Sequence, residues 1–188
     1  MALFRPAFVL FALFTLLLGV IYPLGMTALG QTLFHNAANG SPIVRDGRVV
    51  GSALIGQSFT QARYFWGRPS AAGKGYDARA SGGSNLGPNA QSLAGRAAAE
   101  AKRYGAPASR IPVDLLTASG SGLDPDISPA AARFQAARVA RARGLPEDRV
   151  LRLIEAHTQR PLGGILGEPR VNVLRLNLAL DALRQGGG

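Results

Sequence analysis

Residues 7–29 read AFVLFALFTLLLGVIYPLGMTAL, and the fold turns on this stretch. As a helix its 23 residues reach about 34 Å at about 1.5 Å per residue. That spans a hydrocarbon core about 30 Å thick with some tilt. Thirteen of the residues are Leu, Ile, Val or Phe, each worth about −0.3 to −0.6 kcal/mol near the bilayer centre. Their sum, about −4 to −8 kcal/mol, outweighs the penalties of Gly19, Pro23 and Gly25. The stretch predicts one transmembrane helix, which Pro23 kinks or thins in its outer third.

Working outward, 39 residues between Arg5 and Arg45 carry no Asp, Glu, Lys or Arg. Twenty of the 21 basic residues and all 11 acidic ones follow that run, so the rest of the chain stands at +9. No second long uncharged apolar run exists, which excludes a polytopic membrane protein. At 188 residues, 47% hydrophobic and 17% charged, the chain is too apolar for disorder and too short for more than one domain plus an appendage. It has no cysteine, which excludes disulfides, thiolate metal sites and cysteine nucleophiles. Arg5 and the terminal amine on one side, against no basic residue until Arg45 on the other, put the N-terminus in the cytoplasm. The expected organisation is a short cytoplasmic segment at 1–6, a transmembrane helix at 7–29, a linker at 30–42, and an extracytoplasmic domain at 43–188. Ala28-Leu29-Gly30 offers the small residues of a signal-peptidase site before Gln31, but the apolar run exceeds the 7–15 residues usual for a signal core.

Beyond the anchor, Ile43-Val44-Arg45, Asp46-Gly47 and Arg48-Val49-Val50 predict a hairpin, because Asp-Gly supplies the positive φ angles of a type I′ turn. The second strand is expected to run toward Leu54-Ile55, interrupted at Gly51 and Gly56. Residues 67–89 are rich in Gly, Ser, Pro and Asn, and a stretch of that kind is either mobile or functional. A helix follows at 92–104, ended by Gly105. Residues 112–118 read as a strand leading into a second glycine loop, Ser119-Gly120-Ser121-Gly122. Ser128 as N-cap, Pro129 at the first position and Gly144 at the end bracket a helix. Its Phe134, Ala137 and Val139 are expected to face a core, and Arg133, Arg138, Arg141 and Arg143 solvent. Another helix starts near Pro146-Glu147-Asp148 and runs to His157, and 171–183 is helical. The fold class is thus mixed α/β: one N-terminal transmembrane helix and one small domain.

Catalytic signatures are sparse. The glycine-serine loops present backbone N–H groups that an anion would favour. Neither carries G-x-x-x-x-G-K-[ST], and neither Lys74 nor Lys102 follows such a loop. Gly120-Ser121-Gly122 has Pro125 where a dinucleotide fingerprint has its third glycine. Ser84, Ser119 and Ser121 lack a G-x-S-x-G elbow, and only His35 and His157 are available as a base. Asp124-x-Asp126-x-Ser128 resembles the start of a calcium loop, but Pro129 and Gln135 stand at its sixth-position glycine and twelfth-position glutamate. The simpler reading is a turn at Asp124 before a capped helix. Arginine outnumbers lysine 19 to 2 and the charges are scattered among acids, which reads as a solvated surface and not as a nucleic-acid partner.

These residues closely resemble the C subunit of the bacterial Kdp potassium-importing P-type ATPase. The resemblance begins at Arg5-Pro6-Ala7 and continues through Gly19-Val20, Tyr22-Pro23-Leu24, Leu29-Gly30-Gln31 and Ala38-Asn39-Gly40-Ser41. Its strongest blocks are Gly51-Ser52-Ala53-Leu54-Ile55-Gly56-Gln57, Tyr64-Phe65 with Gly67-Arg68-Pro69-Ser70, and Ser81-Gly82-Gly83-Ser84-Asn85-Leu86. Pro112-Val113, Thr117-Ala118-Ser119, Gly122-Leu123-Asp124, Arg138-Val139-Ala140, Val171-Asn172 and Leu176-Asn177-Leu178-Ala179-Leu180-Asp181 complete it. It covers essentially the whole chain, and it assigns Ala28-Leu29-Gly30-Gln31 to a retained anchor.

The resemblance implies a bacterial inner-membrane accessory subunit that is not an enzyme by itself. Its implied partners are a channel-like A subunit, an ATP-hydrolysing B subunit, a small F subunit and the lipid bilayer. No autonomous cofactor is implied; ATP, with the B subunit, and potassium belong to the complex. The implied role is in assembly and as a catalytic chaperone raising the ATP affinity of the B subunit. An extracytoplasmic domain would act through assembly, coupling or access at the A subunit, whereas direct nucleotide contact would need another topology. The candidate partner-contact residues are Gln57, Tyr64, Phe65, Trp66, Arg68, Ser81, Ser84, Asn85, Ser119, Ser121 and Asp124; their alternative role is a core of tight turns. Gly19, Tyr22, Pro23 and Gly25 are the intramembrane interface candidates. A rival of another class is a free-standing anchored binding module.

Overall fold

In the computed structural model, residues 4–161 and 163–185 are described. Positions 1–3 of the expected N-terminal segment and 186–188 of the expected domain lie outside them. The chain divides into two units, one through Val50 and one from Gly51.

The first unit is built on a single helical run, Phe4–Leu33, 30 residues long with a mean hydropathy of 2.4 over its most apolar window. It is long and apolar enough to cross a membrane, and no residue along it is buried. Helix α1 (Phe4–Leu16) and α2 (Tyr22–Leu33) are joined by one π-helical turn, Leu17–Ile21. This π turn is the form that the disturbance expected at Pro23 takes. Proline has no N–H, and its ring collides with the carbonyl four residues back. A wider turn, closed by the Tyr22 N–H on the Leu17 carbonyl, ends directly ahead of Pro23, which stands in the first turn of α2. The helix also runs past the expected span. It breaks at Phe34 and resumes as α3 (His35–Ala38), so most of the expected linker is helical. Asn39 ties this corner by donating to the His35 carbonyl (2.7 Å) and to Gln31 Oε1 (3.0 Å).

Strands β1 (Pro42–Arg45) and β2 (Arg48–Ser52) pair as the expected hairpin. Asp46 and Gly47, at φ of 51° and 72°, supply the two positive φ angles that a type I′ turn requires. β2 ends at Ser52 instead of running to Ile55. The chain turns over 53–55, and a side chain at Gly51 would collide with Gln57 and Leu174.

The second unit gathers α4 (Gln91–Tyr104), α5 (Pro129–Arg143), α6 (Glu147–His157) and α7 (Val173–Gln185). With them lies an antiparallel sheet of β3 (Asp126–Ile127), β4 (Thr158–Gln159) and β5 (Arg170–Asn172), in the order β3-β5-β4. The core joins Val139 of α5, Val150 and Ile154 of α6, Leu176 and Leu180 of α7, and Ile127 and Val171 of the sheet. α5 starts and stops as its sequence predicts. The Ser128 hydroxyl accepts from the Ala131 N–H, Pro129 follows, and Gly144 closes the helix at φ 65°.

Three expectations are corrected here. Residues 112–118 are not a strand but hold a 3₁₀ turn, Val113–Leu115. Leu115, Leu116 and Thr117 N–H groups bond back to the Pro112 and Val113 carbonyls, and the Thr117 hydroxyl adds a 2.9 Å bond to the latter. The start of 171–183 is strand before it is helix, because Val171 and Asn172 pair with Ile127 and Asp126. On α5, Ala137 faces solvent while Arg138 and Arg143 turn inward. Guanidinium groups reach neighbouring carbonyls that alanine cannot.

Candidate functional site

The aromatic residues ahead of the glycine-rich loop form an anchored segment. Phe65 and Trp66 lack enough regular sheet pairing of their own, and two buried carboxamides replace it. Asn177 of α7 accepts from the Phe65 N–H (2.8 Å) and donates to its carbonyl (3.0 Å). Gln135 of α5 does the same for Trp66, at 2.8 and 3.0 Å. Each amide thus satisfies both backbone groups of one residue, as a strand neighbour would. Arg138 donates to the carbonyls of Ala62 (2.6 Å) and Tyr64 (3.1 Å) and to Gln135 Oε1 (2.6 Å). Arg143, whose side chain is 6% exposed, donates to the Arg63 carbonyl (2.7 Å) and to Asp181 (2.9 Å).

Around the Trp66 ring, the guanidinium carbons of Arg138 and Arg103 lie 3.8 and 4.2 Å from its centroid. That distance suits cation–π attraction. Burial pulls Arg138 down to about 10, which leaves it charged at neutral pH. Tyr64 bridges to Asp181 Oδ2 at 3.1 Å.

The two glycine-serine loops are brought together and stitched. Gly82 N–H and the Ser81 hydroxyl both donate to the Ser121 carbonyl at 2.9 Å. Ser70 donates to the Gly122 carbonyl at 2.6 Å, and Gly56 N–H to the Leu123 carbonyl at 2.8 Å. Gly122 sits at φ 68°, and a Cβ there would come within 2.7 Å of the Ala72 nitrogen, so only glycine fits. Asp124 receives Arg68 at 3.1 Å and its own turn's Asp126 N–H at 3.0 Å. The aspartate therefore makes the simple turn expected of it.

The candidate contact residues divide accordingly. Phe65 is fully buried, and Trp66 and Ser119 nearly so; they are placed to hold the fold. Gln57, Tyr64, Arg68, Ser84 and Asp124 are partly exposed, and Ser81, Asn85 and Ser121 are exposed. Asn85 stands at φ 51°. In the first unit, Gly19, Tyr22, Pro23 and Gly25 are all exposed, and nothing lies within 4 Å of a Cβ placed on either glycine.

Two depressions open beside the stitched loops. One, of about 260 Å³, is lined by Asp114, Asp124, Asp126 and Glu168 with Arg68 and Arg170. Burial raises the Asp126 carboxyl above its ordinary range, opposed by an Asn172 hydrogen bond and by Arg170. Among the described residues no group of three or more His, Cys, Asp or Glu is placed to hold a metal ion. The other, of about 420 Å³, lies between the 68–76 loop and one face of α4, with Arg68, Lys74, Arg96 and Arg103 on its walls and Glu100 as its acid.

Sequence reasoning missed the roles of Gln135, Asn177, Arg138 and Arg143. The available signal was polar residues on apolar faces: Gln135 among Ala131, Ala132, Ala136 and Val139, and Asn177 between Leu176 and Leu180. A buried amide needs partners, and in a loop-rich domain the unpaired backbone supplies them.

A family model described as KdpC, K+-transporting ATPase, c chain, matches residues 4–182. Among curated relatives, the potassium-transporting ATPase KdpC subunit of Caulobacter vibrioides is 60% identical over 182 residues, covering 95% of this chain and 92% of that protein. That of Variovorax paradoxus is 60% identical over 183 residues, covering 95% of each. That of Gemmatimonas aurantiaca is 61% identical over 183 residues, covering 95% and 92%.

Proposed function

The chain belongs to the KdpC family, the c chains of the K+-transporting ATPase, and from that premise we propose that it is a non-catalytic accessory subunit of a high-affinity ATP-driven potassium importer. It assists assembly of the complex and raises the ATP affinity of the ATP-hydrolysing B subunit. The helix is retained in the bacterial inner membrane beside the channel-like A subunit and the small F subunit, with the N-terminus in the cytoplasm. The domain is extracytoplasmic, so its effect on ATP passes through assembly, coupling or access at the A subunit and not through nucleotide held by this chain.

The observation that carries this reading is that the family match, residues 4–182, takes in helix and domain together. The stitched loops support it. Their serine and glycine groups are largely engaged with one another, which suits a rigid body that presents a surface.

Extraction in mild detergent tests the reading. The chain should co-purify with the larger subunits of the ATPase, and its removal should weaken both their assembly and their response to ATP. Recovery of this chain alone would favour the free-standing anchored binding module. In sealed spheroplasts, added protease should cut within 63–103, and full protection there would reverse the orientation.

A further inference from the structure

The 420 Å³ cleft beside α4 gathers charged side chains from both of its walls. Leu93, Arg96, Glu100 and Arg103 recur at helical spacing and present one face of α4 to it, while Pro69, Leu116 and Ala118 contribute apolar surface. Its four cations face one carboxylate. Arg68 is paired with Asp124 at 3.1 Å, and Arg103 with the Phe59 carbonyl at 3.2 Å, with Glu100 at 3.5 Å and with the face of Trp66. Arg68 still has a buried Nε without a hydrogen-bond partner. The side chains of Lys74 and Arg96 have neither an ion pair nor a hydrogen bond among the described residues.

Two of the cleft's hydroxyls, those of Ser70 and Tyr76, are spoken for. The Ser70 hydroxyl donates to Gly122 and accepts from the Ala72 and Tyr76 N–H groups. The Tyr76 hydroxyl donates to the Arg68 carbonyl at 2.6 Å, and burial pushes its pKa up to about 12, so it stays protonated. What remains is an excess of cationic heads over a partly apolar floor, Lys74 and Arg96 without a partner among the described residues and Arg68 and Arg103 already engaged. Arg96 and Arg103 are seven residues apart, about 10 Å along the helix axis. A single phosphate is too compact to answer both ends. Carboxylates three residues apart on an extended segment of polyproline-II form lie on one face about 9 Å apart, close to that spacing.

We propose that this cleft is a docking groove for an extended acidic segment of a partner subunit, whose carboxylates meet Lys74, Arg96 and Arg103 while its intervening apolar atoms lie on Leu93 and Leu116. The inference rests on the subunit reading above and names a surface and a partner chemistry for it. Charge complementarity selects the occupant. Exposed basic heads attract carboxylates at long range and are screened by salt.

The full chain in detergent micelles should bind a fluorescent ten-residue glutamate peptide, with affinity falling steeply from low to high salt. The double variant Lys74→Glu, Arg96→Glu should weaken that binding by about tenfold or more. Arg149→Glu, Arg152→Glu on α6, with the same change in net charge, should leave it nearly unchanged. Circular dichroism melts accompany both; should the reversed pair shift the melt, Lys74→Gln, Arg96→Gln is read in its place. Absence of peptide binding, or equal loss in both doubles, overturns the groove. So does binding of inorganic phosphate, ATP or phosphatidylglycerol vesicles at Lys74 and Arg96 in place of the peptide.

In the complex, the cleft variant should dissociate from the ATPase at lower salt than the parent chain. Undiminished co-purification of the variant overturns the groove and leaves the subunit reading standing. Failure of the parent itself to co-purify overturns the subunit reading, and the peptide measurement still decides the groove.

Discussion

Two arginine-rich regions of the same domain use one residue type in opposite ways. Around 62–66, Arg138 and Arg143 turn inward and spend their donors on the carbonyls of Ala62, Arg63 and Tyr64, on Gln135 and on Asp181. Across the 420 Å³ cleft, Lys74 and Arg96 hold their charge out with no partner among the described residues. The difference lies in what each meets. Segment 62–66 has backbone carbonyls without strand neighbours, and a guanidinium with its fan of donors is the natural replacement. The cleft wall is a helix, whose carbonyls bond along α4 itself; of its two cleft arginines, Arg103 finds a backbone carbonyl, that of Phe59, and Arg96 finds none among the described residues. Arginine is structural where the backbone is short of donors, and available to others where it is not.

The largest effect is expected from breaking the first region. Asn177→Leu keeps the branched four-atom side-chain skeleton on α7 but strands the Phe65 N–H and carbonyl inside the core. Two buried groups without partners cost about 1–3 kcal/mol each, so unfolding in urea should show a loss of about 2–5 kcal/mol. A loss under about 1 kcal/mol would mean that the segment finds other partners and that the amide clamp does not hold it.

How much of this contrast was legible in the sequence depends on how local the determinant is. Asp46-Gly47, Ser128-Pro129 and Gly144 act within a few residues, and the hairpin and α5 sit where those residues put them. The 7–29 run declared a spanning helix by length alone, although length says nothing of the π turn ahead of Pro23. Residues 112–118 misread as a strand because Val113, Leu115 and Leu116 are apolar, yet alternate burial needs a neighbouring strand and none is supplied there. Among the candidate contact residues, Phe65 and Trp66 stand out in the sequence only as aromatics beside a glycine loop. Their burial is decided by Gln135 and Asn177, 69 and 112 residues away. The cleft escaped notice for the same reason: Arg96 and Arg103 look like any solvated helix face until the 68–76 loop stands opposite.

A smaller effect separates the domain's two depressions. Asp126 lines the acidic one, and burial raises its carboxyl, with the Asp124 charge adding to the rise. The folded state therefore holds the Asp126 proton more tightly than the unfolded chain, whose carboxylate titrates near about 3.9. Stability from this group is present at low pH and falls as pH rises through the unfolded and then the folded value. Asp126→Asn removes that titration. In thermal melts of the full chain, the variant should gain on the parent as pH rises from acid to neutral, then hold its advantage. A variant that instead loses ground with rising pH would show that the Arg170 pair, at 3.2 Å, outweighs burial.

The smallest effect belongs to the cleft, and its smallness is informative. Lys74→Ala and Arg96→Ala each remove an exposed cation that bonds to nothing among the described residues, and surface changes of that kind stay within about 0.5 kcal/mol. Alanine at 96 also suits the interior of α4, since its helix propensity is at least that of arginine. Unfolding of both variants should therefore overlay the parent, in contrast to Asn177→Leu. If either were destabilised by more than about 1 kcal/mol, the cation would have a structural partner, and the contrast between the two arginine sites would collapse to one of degree. If both overlay, the charges at 74 and 96 contribute nothing to folding, and their effect has to be sought in what the cleft binds.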